Sequence, residues 1–228
     1  MLTRRLAALY NFVAPGRVVA DVGTDHGYLI AELVESGRCP RGYACDINPQ
    51  PLEKARSWIR KKGLSDRITL LCCDGLCQVP MDQVQEVVIA GMGGELISHI
   101  LSACPALKRE EIGLVLQPMS RAALLRRWLG ENGFSLLKET ALQENGFYYS
   151  VMRACYTGRR VSLSEAQART GLLAGQTEPE AQAYLLRQRE ILARIAEQTA
   201  RSPRMAEQSR HYQRDLAELE ALLQPKSK

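Results

Sequence analysis

The stretch FSLLKETALQENGFYYSVMRA, residues 134–154, decides what kind of fold this chain adopts. Two strand-like runs, 134–142 and 147–154, flank Glu144-Asn145-Gly146. Asn-Gly is a strong hairpin signal because both residues tolerate positive φ. No helix fits in so short a gap, so the two runs are predicted to pair antiparallel. Upstream the texture is different. Short β-rich runs at 17–22, 42–46, 68–73, 86–90 and 113–117 are apolar on both faces, as buried parallel strands are. Helical patterns at 28–36, 51–62, 95–103 and 121–132 separate them. This β-α alternation predicts a parallel sheet with helices on both faces.

A dehydrogenase-type dinucleotide fold would continue with further β-α units. Five β-α steps closed by a hairpin instead resemble the Rossmann-like, seven-stranded class I S-adenosylmethionine methyltransferase fold, with a mostly parallel sheet. From about residue 160 no strand-like run occurs. Helices are expected at 164–173, 180–201 and 203–223, with Pro203 dividing the last two. Apolar Tyr184, Leu185, Ile191, Leu192 and Ile195 on one, and Tyr212, Leu216, Leu219 and Leu223 on the other, suit an antiparallel coiled-coil hairpin. The α/β domain is thus expected over 1–157 and a C-terminal helical coiled-coil domain over 158–228.

Composition bounds the function class. The 228 residues, 46% hydrophobic and 24% charged, describe an ordinary globular chain rather than a disordered one. No run approaches the roughly 18 apolar residues needed to cross a bilayer. The N-terminus is basic without an apolar signal core, so secretion is not expected. Seven scattered cysteines, an odd number without a CxxC pair, argue against a disulfide framework and suit the cytoplasm. The three histidines lie far apart, so no metal site is expected.

Chemistry concentrates at the strand ends. In Val18-Val19-Ala20-Asp21-Val22-Gly23-Thr24-Asp25-His26-Gly27-Tyr28 a strand runs through a glycine turn into a helix. Gly23 and Gly27 let the backbone approach a ligand, and the helix N-terminus offers free N–H groups. The pattern is not GxGxxG, which disfavours a dinucleotide site. Asp21, just before the turn, suits a ligand with a positive end, and S-adenosylmethionine carries an ammonium and a sulfonium. A plain β-α turn is the alternative. Asp46, 25 residues later, can accept both hydroxyls of a ribose or cap a helix. Asp74, before Gly75, can accept from an adenine amino group or close a turn. In Ala90-Gly91-Met92-Gly93-Gly94, three glycines around one Met leave room for a flat substrate. Gln117-Pro118 ends the fifth strand at the same edge, and Trp128 beyond it reads as helix core.

Taken together, Arg4-Arg5-Leu6, Asp21-Val-Gly-Thr-Asp-His-Gly-Tyr-Leu29, Asp74-Gly75-Leu76, Ala90-Gly-Met-Gly-Gly94 and Leu116-Gln-Pro118 resemble the bacterial tRNA (adenine-N1)-methyltransferases that modify position 22. The combination of TDHGYL with AGMGG carries the resemblance, which spans nearly the whole chain. It implies S-adenosyl-L-methionine as cofactor and tRNA as partner. Separately, the chain is expected to be a monomer. The resemblance implies cofactor contacts from Asp21, Gly23, Thr24, Gly27, Asp46, Ile47, Asp74, Gly75, Ala90, Gly91 and Met92. Arg5, Gly93, Gln117 and Pro118 would meet the substrate, and Asp25, His26 and Tyr28 would serve catalysis. Thr24, Ile30 and Met119 stand where the family commonly has Ser, Pro and Asn. The alternatives are a small-molecule methyltransferase and a non-catalytic scaffold on the same fold.

The net charge of +5 agrees with an anionic partner without demonstrating one. Residues 156–228 carry twelve Lys and Arg against nine Asp and Glu, the larger excess per residue.

Overall fold

The computed structural model describes residues 2–201 and 203–224. Residues 225–228, at the end of the expected helical domain, lie outside the described residues. In chain order the elements are α1 (Arg4–Phe12), β1 (Val19–Val22), α2 (Tyr28–Glu35), β2 (Gly42–Asp46), α3 (Pro49–Lys61), β3 (Ile68–Cys72), β4 (Glu86–Gly93), α4 (Gly94–Ser102), β5 (Gly113–Ser120), α5 (Ala122–Glu131), β6 (Phe134–Glu144), β7 (Phe147–Tyr156), α6 (Glu165–Thr170), α7 (Pro179–Ala200) and α8 (Ala206–Leu223).

The strands form one seven-stranded sheet in the order β3-β2-β1-β4-β5-β7-β6. The first five are parallel, and β7 runs antiparallel to both β5 and β6. Asn145 and Gly146 take positive φ at the β6–β7 turn, as the sequence predicts. The register aligns the carboxyl ends: Val22 pairs with Cys45 and Ile89, Asp46 with Cys72, and Ala90 with Gln117. All strand-end motifs therefore share one edge, where open α/β sheets bind ligands.

Alternation along each strand divides the core in two. Val87, Ile89, Leu114 and Leu116 pack with Ile97, Leu101, Leu125 and Leu129 of α4 and α5. Val88 and Val115 face the other way, onto Leu9 of α1, Ile30 of α2 and Ile59 of α3. Trp128 packs on Phe134 with ring centroids 5.8 Å apart, consistent with its expected core role.

Three expectations need correction, and one element is new. The third crossover, 73–85, contains no helix, because Gly75 and Pro80 break the chain into turns, so the steps are not all β-α. β3 is not apolar on both faces: as the sheet edge it leaves Thr69 and Cys72 exposed. β4 and β5 are longer than predicted and stay paired through Gly93 and Ser120. Finally, α1 was not anticipated. Thr3 caps it by accepting from the Leu6 N–H at 3.3 Å, and Leu9 and Phe12 are buried beneath it.

The C-terminal helices dock on the sheet. Tyr184 and Leu185 of α7 do not simply face α8, since they cluster with Ala141 of β6 and Leu173 of the 3-10 turn after α6. Further along, Leu192 meets Leu219 and Arg189 pairs with Glu220 at 2.7 Å, so α7 and α8 run antiparallel. Arg126 of α5, fully buried, knots these parts together. Its guanidinium donates to Glu139 of β6 at 2.6 Å, to the Ala168 carbonyl of α6 at 2.7 Å, and to the Tyr184 hydroxyl at 3.2 Å. The other Glu139 oxygen accepts from the Leu172 N–H at 2.9 Å.

Candidate active site

The β1 turn is built around a buried carboxylate. Asp21 accepts a 2.7 Å hydrogen bond from the Thr24 hydroxyl. Burial pushes its carboxyl up to about 6, against the pull of that hydrogen bond. The Gly23 and Thr24 N–H groups donate to the Cys45 carbonyl at 2.8 and 3.0 Å, which anchors the turn on β2. Gly23 has φ +75°, and a Cβ there would collide with Cε of Met92. The positive φ favours glycine, and a larger residue would also push the flexible end of Met92 aside. Gly27, also left-handed, starts α2 with no side-chain cap.

Asp46 ends β2 half-buried and accepts from the Asn48 N–H at 2.7 Å. Asn48, not Asp46, occupies the N-cap of α3, so the helix-cap reading of Asp46 falls away. Ile47 beside it is 62% exposed. Asp74 is exposed, and its backbone carbonyl closes a turn with the Cys77 N–H at 3.2 Å. Gly75 takes φ +54° against Ile100. Carboxylates thus stand at or just beyond the ends of β1, β2 and β3, with glycine turns between them. This acceptor set fits a ligand carrying a cation and a nucleoside.

A second assembly lies across β4 and β5. Gly91 is a bulge, since Ala90 pairs with Gln117 and Met92 with Pro118. The Gly91 N–H and the Arg5 guanidinium both donate to Oε1 of buried Gln117 at 3.1 Å. Glu144 of β6 holds Arg5 in turn, accepting from its backbone N–H at 3.1 Å and pairing with its side chain at 3.4 Å. Burial works to raise the Glu144 carboxyl, but the Arg5 N–H, Thr3 and the Arg5 charge together hold it below the usual range. Glu144 is absent from the sequence-derived site. Its only signal was its place beside the hairpin turn, and its partner is 139 residues away.

The third assembly is open. Asp25 is 77% exposed at its side chain, and Nδ1 of His26 lies 2.5 Å from its carboxylate. His26 takes φ +62° and stacks on Tyr28 at 5.3 Å with the rings nearly parallel. Tyr28 meets the edge of Trp58 in α3, a neighbour that sequence reasoning did not name. Gly93 sits beside Ser120 across the sheet. The structure therefore groups the predicted residues into Asp21–Thr24–Gly23–Met92, Arg5–Gln117–Gly91 and Asp25–His26–Tyr28. No side-chain hydrogen bond ties Asp74 to them.

The family described as a methyltransferase domain matches residues 2–152. The tRNA (adenine(22)-N(1))-methyltransferase of Bacillus subtilis is 32% identical over 174 residues, covering 76% of this chain and 73% of that protein. The chain belongs to this tRNA methyltransferase family. The solved structure of the m1A22 tRNA methyltransferase of B. subtilis superposes with a TM-score of 0.88 at 27% identity, covering 98% of this chain and 99% of that one. Streptococcus pneumoniae Sp1610 in complex with S-adenosyl-L-methionine gives 0.83 at 29% identity, with 98% and 100% covered.

The departure from the family at Met119 has a local resolution. Its sulfur lies 3.7 Å from Nη1 of Arg5 and 3.6 Å from Nε2 of Gln117, so a weak acceptor still meets both donors. Among the described residues no helix is long and apolar enough to cross a membrane, and no cluster of His, Cys, Asp and Glu is arranged to hold a metal.

Proposed function

We propose that this chain transfers a methyl group from S-adenosylmethionine to N1 of adenine at position 22 of tRNA. The observation that carries the proposal is the row of carboxylates Asp21, Asp46 and Asp74 at β1–β3 beside the open Asp25–His26–Tyr28 cluster on the same sheet edge, in a chain of this family. When bound, the cofactor supplies a methyl group on a sulfonium, already a strong electrophile.

The chain's own residues then bind and orient. Asp21 would accept from the ammonium group and Asp46 from the ribose hydroxyls. Asp74, just beyond β3, would accept from the adenine amino group. Gly23, Gly27, Gly75 and Gly91 keep the backbone close, while Thr24, Ile47, Ala90 and Met92 complete the walls. Arg5, Gly93, Gln117 and Pro118 form the substrate side. N1 of adenine has a free lone pair, so no base is needed before attack. The methylated ring is a cation, and Asp25 stabilises the charge as it develops. Asp25 can also accept a proton from the exocyclic amine. His26 holds that carboxylate through Nδ1, and Tyr28 gives the base a stacking surface. Because the target base lies within a folded RNA, it must be turned out to reach this edge.

On this reading the catalytic part spans 1–157 and the helical part 158–228, with α7 and α8 forming a short coiled-coil hairpin. The protein works as a monomer in the cytoplasm, where it meets its RNA. Incubation with labelled S-adenosylmethionine and tRNA, followed by mapping of the modified nucleotide, tests the proposal. Label at N1 of A22 is expected. Label found only in small molecules overturns it.

A further inference from the structure

A groove of about 960 Å³ runs from the carboxyl end of β5 between the β6–β7 hairpin and α7. Its inner end is Pro118 and Met119, next to Gln117 of the site above. Its outer walls belong to parts of the fold that the proposed chemistry does not use. The volume is at the upper end of the roughly 300–1,000 Å³ of ligand pockets.

The lining has a specific chemistry. Three large apolar side chains that water would disfavour stand open in it: Phe147 at 66% exposure, Leu186 at 55% and Met119 at 43%. Between them lie the guanidinium groups of Arg121, Arg127, Arg169 and Arg187, against the carboxylates of Glu165 and Glu190. Arg121 is neutralised by Glu95 just outside the groove, so the balance is a small positive excess that comes from the Glu165 cluster. Arg127 and Arg169 share Glu165, which leaves that cluster with a net charge of +1. Arg187 meets Glu190 at 3.0 Å, with both side chains about half exposed, a contact that a stronger anion displaces at little cost. Arg121 adopts φ +54°, a conformation unusual for a side chain of its size, where the groove meets the sheet edge. An exposed aromatic ring among arginines is the surface on which unstacked nucleotides are held, by base stacking and phosphate contact.

The geometry points to this groove as the binding site for the RNA strand flanking the target adenosine, with Phe147 stacking on a neighbouring base and Arg187 meeting a phosphate. The inference rests on the tRNA reading above and adds where the strand lies. Its two supports are the excess positive charge and the continuity with the substrate edge through Pro118 and Met119.

The test is equilibrium binding of full-length tRNA to F147A, F147W and R187Q, with S-adenosylmethionine affinity measured by calorimetry on each. Both altered side chains are at least half exposed, so the variants fold. F147A is expected to weaken tRNA binding at least about fivefold, and F147W to restore it. R187Q is expected to lower the salt slope of binding by about one. Cofactor affinity is expected to stay unchanged in all three. Wild-type tRNA affinity in F147A and R187Q overturns the groove assignment, as does a protein dimer that F147A dissolves while tRNA binding persists. A wild-type protein that binds no tRNA overturns the function itself along with the groove.

Discussion

The hydroxyl of Thr24 donates a 2.7 Å hydrogen bond to the carboxylate of Asp21, which is buried at the end of β1. That single contact is too weak to offset burial, and the carboxyl remains near 6 rather than at its ordinary 3.8. In the free protein Asp21 therefore takes up a proton just below neutral pH. A ligand ammonium requires the ionised form. Affinity for S-adenosylmethionine is expected to rise with pH between about 5 and 7 and then level off. Calorimetric titration across that range checks it.

The same shift makes Asp21 a cost to the fold. The native state binds its proton more tightly than the unfolded chain does. Its contribution is intact below pH 3.8 and is lost as pH rises through about 6. Asp21→Asn removes that loss. At pH 7.5 it is expected to stabilise the free protein by about 2–3 kcal/mol, a rise of several degrees in Tm, while abolishing cofactor binding. Thermal melts at pH 4 and pH 7.5 separate the two, since the gain vanishes at the lower pH.

Asp25 is exposed and bonded only to its neighbour His26 among the hydrogen bonds and ion pairs described. Asp25→Ala is expected to lower kcat by about 10²–10⁴-fold and to leave cofactor affinity and Tm nearly unchanged. Equal losses of turnover and cofactor binding would remove Asp25 from catalysis.

Gln117 joins three segments through one oxygen and is fully buried. Gln117→Leu leaves the Gly91 N–H and the Arg5 guanidinium without that acceptor, at a cost of about 1–3 kcal/mol. The expected signature is a raised KM for tRNA with a smaller change in cofactor affinity. Gln117→Glu keeps an acceptor in place and is expected to recover most of the loss.

Glu139→Ala strands a buried guanidinium and is expected to cost about 3–5 kcal/mol. Limited proteolysis should then cut first near 157–178, where α6 and the 3-10 turn lose their anchor. Replacing Arg126 and Glu139 together by Met and Leu should restore much of the stability.

The sequence made the sheet and its strand ends legible because their signals are local. The Asn145-Gly146 turn, the alternating strands and the glycines after β1 and β4 each declare themselves within a few residues. The bounds of β2 agree at both ends. Other features depend on distant partners. Glu144 reads as an ordinary hairpin residue until α1 places Arg5 above it. Arg126 and Glu139 carry no local signal of their pairing, yet both side chains are fully buried. The pattern for α1 was present in Thr3 and in Leu6, Leu9 and Tyr10, but Phe12 and Val13 next to Pro15 blurred its end. The third crossover, where the sequence offers no helical pattern, stays in turns for a local reason, its glycine and proline.

The hold of the β6–β7 hairpin on α1 has a consequence for how the protein is made. Arg4 and Arg5 reach Gln143 and Glu144, and Arg153 reaches the Phe12 carbonyl at 2.6 Å. α1 therefore waits for partners about 140 residues further along the chain. Contacts so far apart in the chain are slow to close. The acidic cradle can form from the early strands, whereas the substrate side is completed only when the hairpin arrives, so the two halves of the site are built at different times.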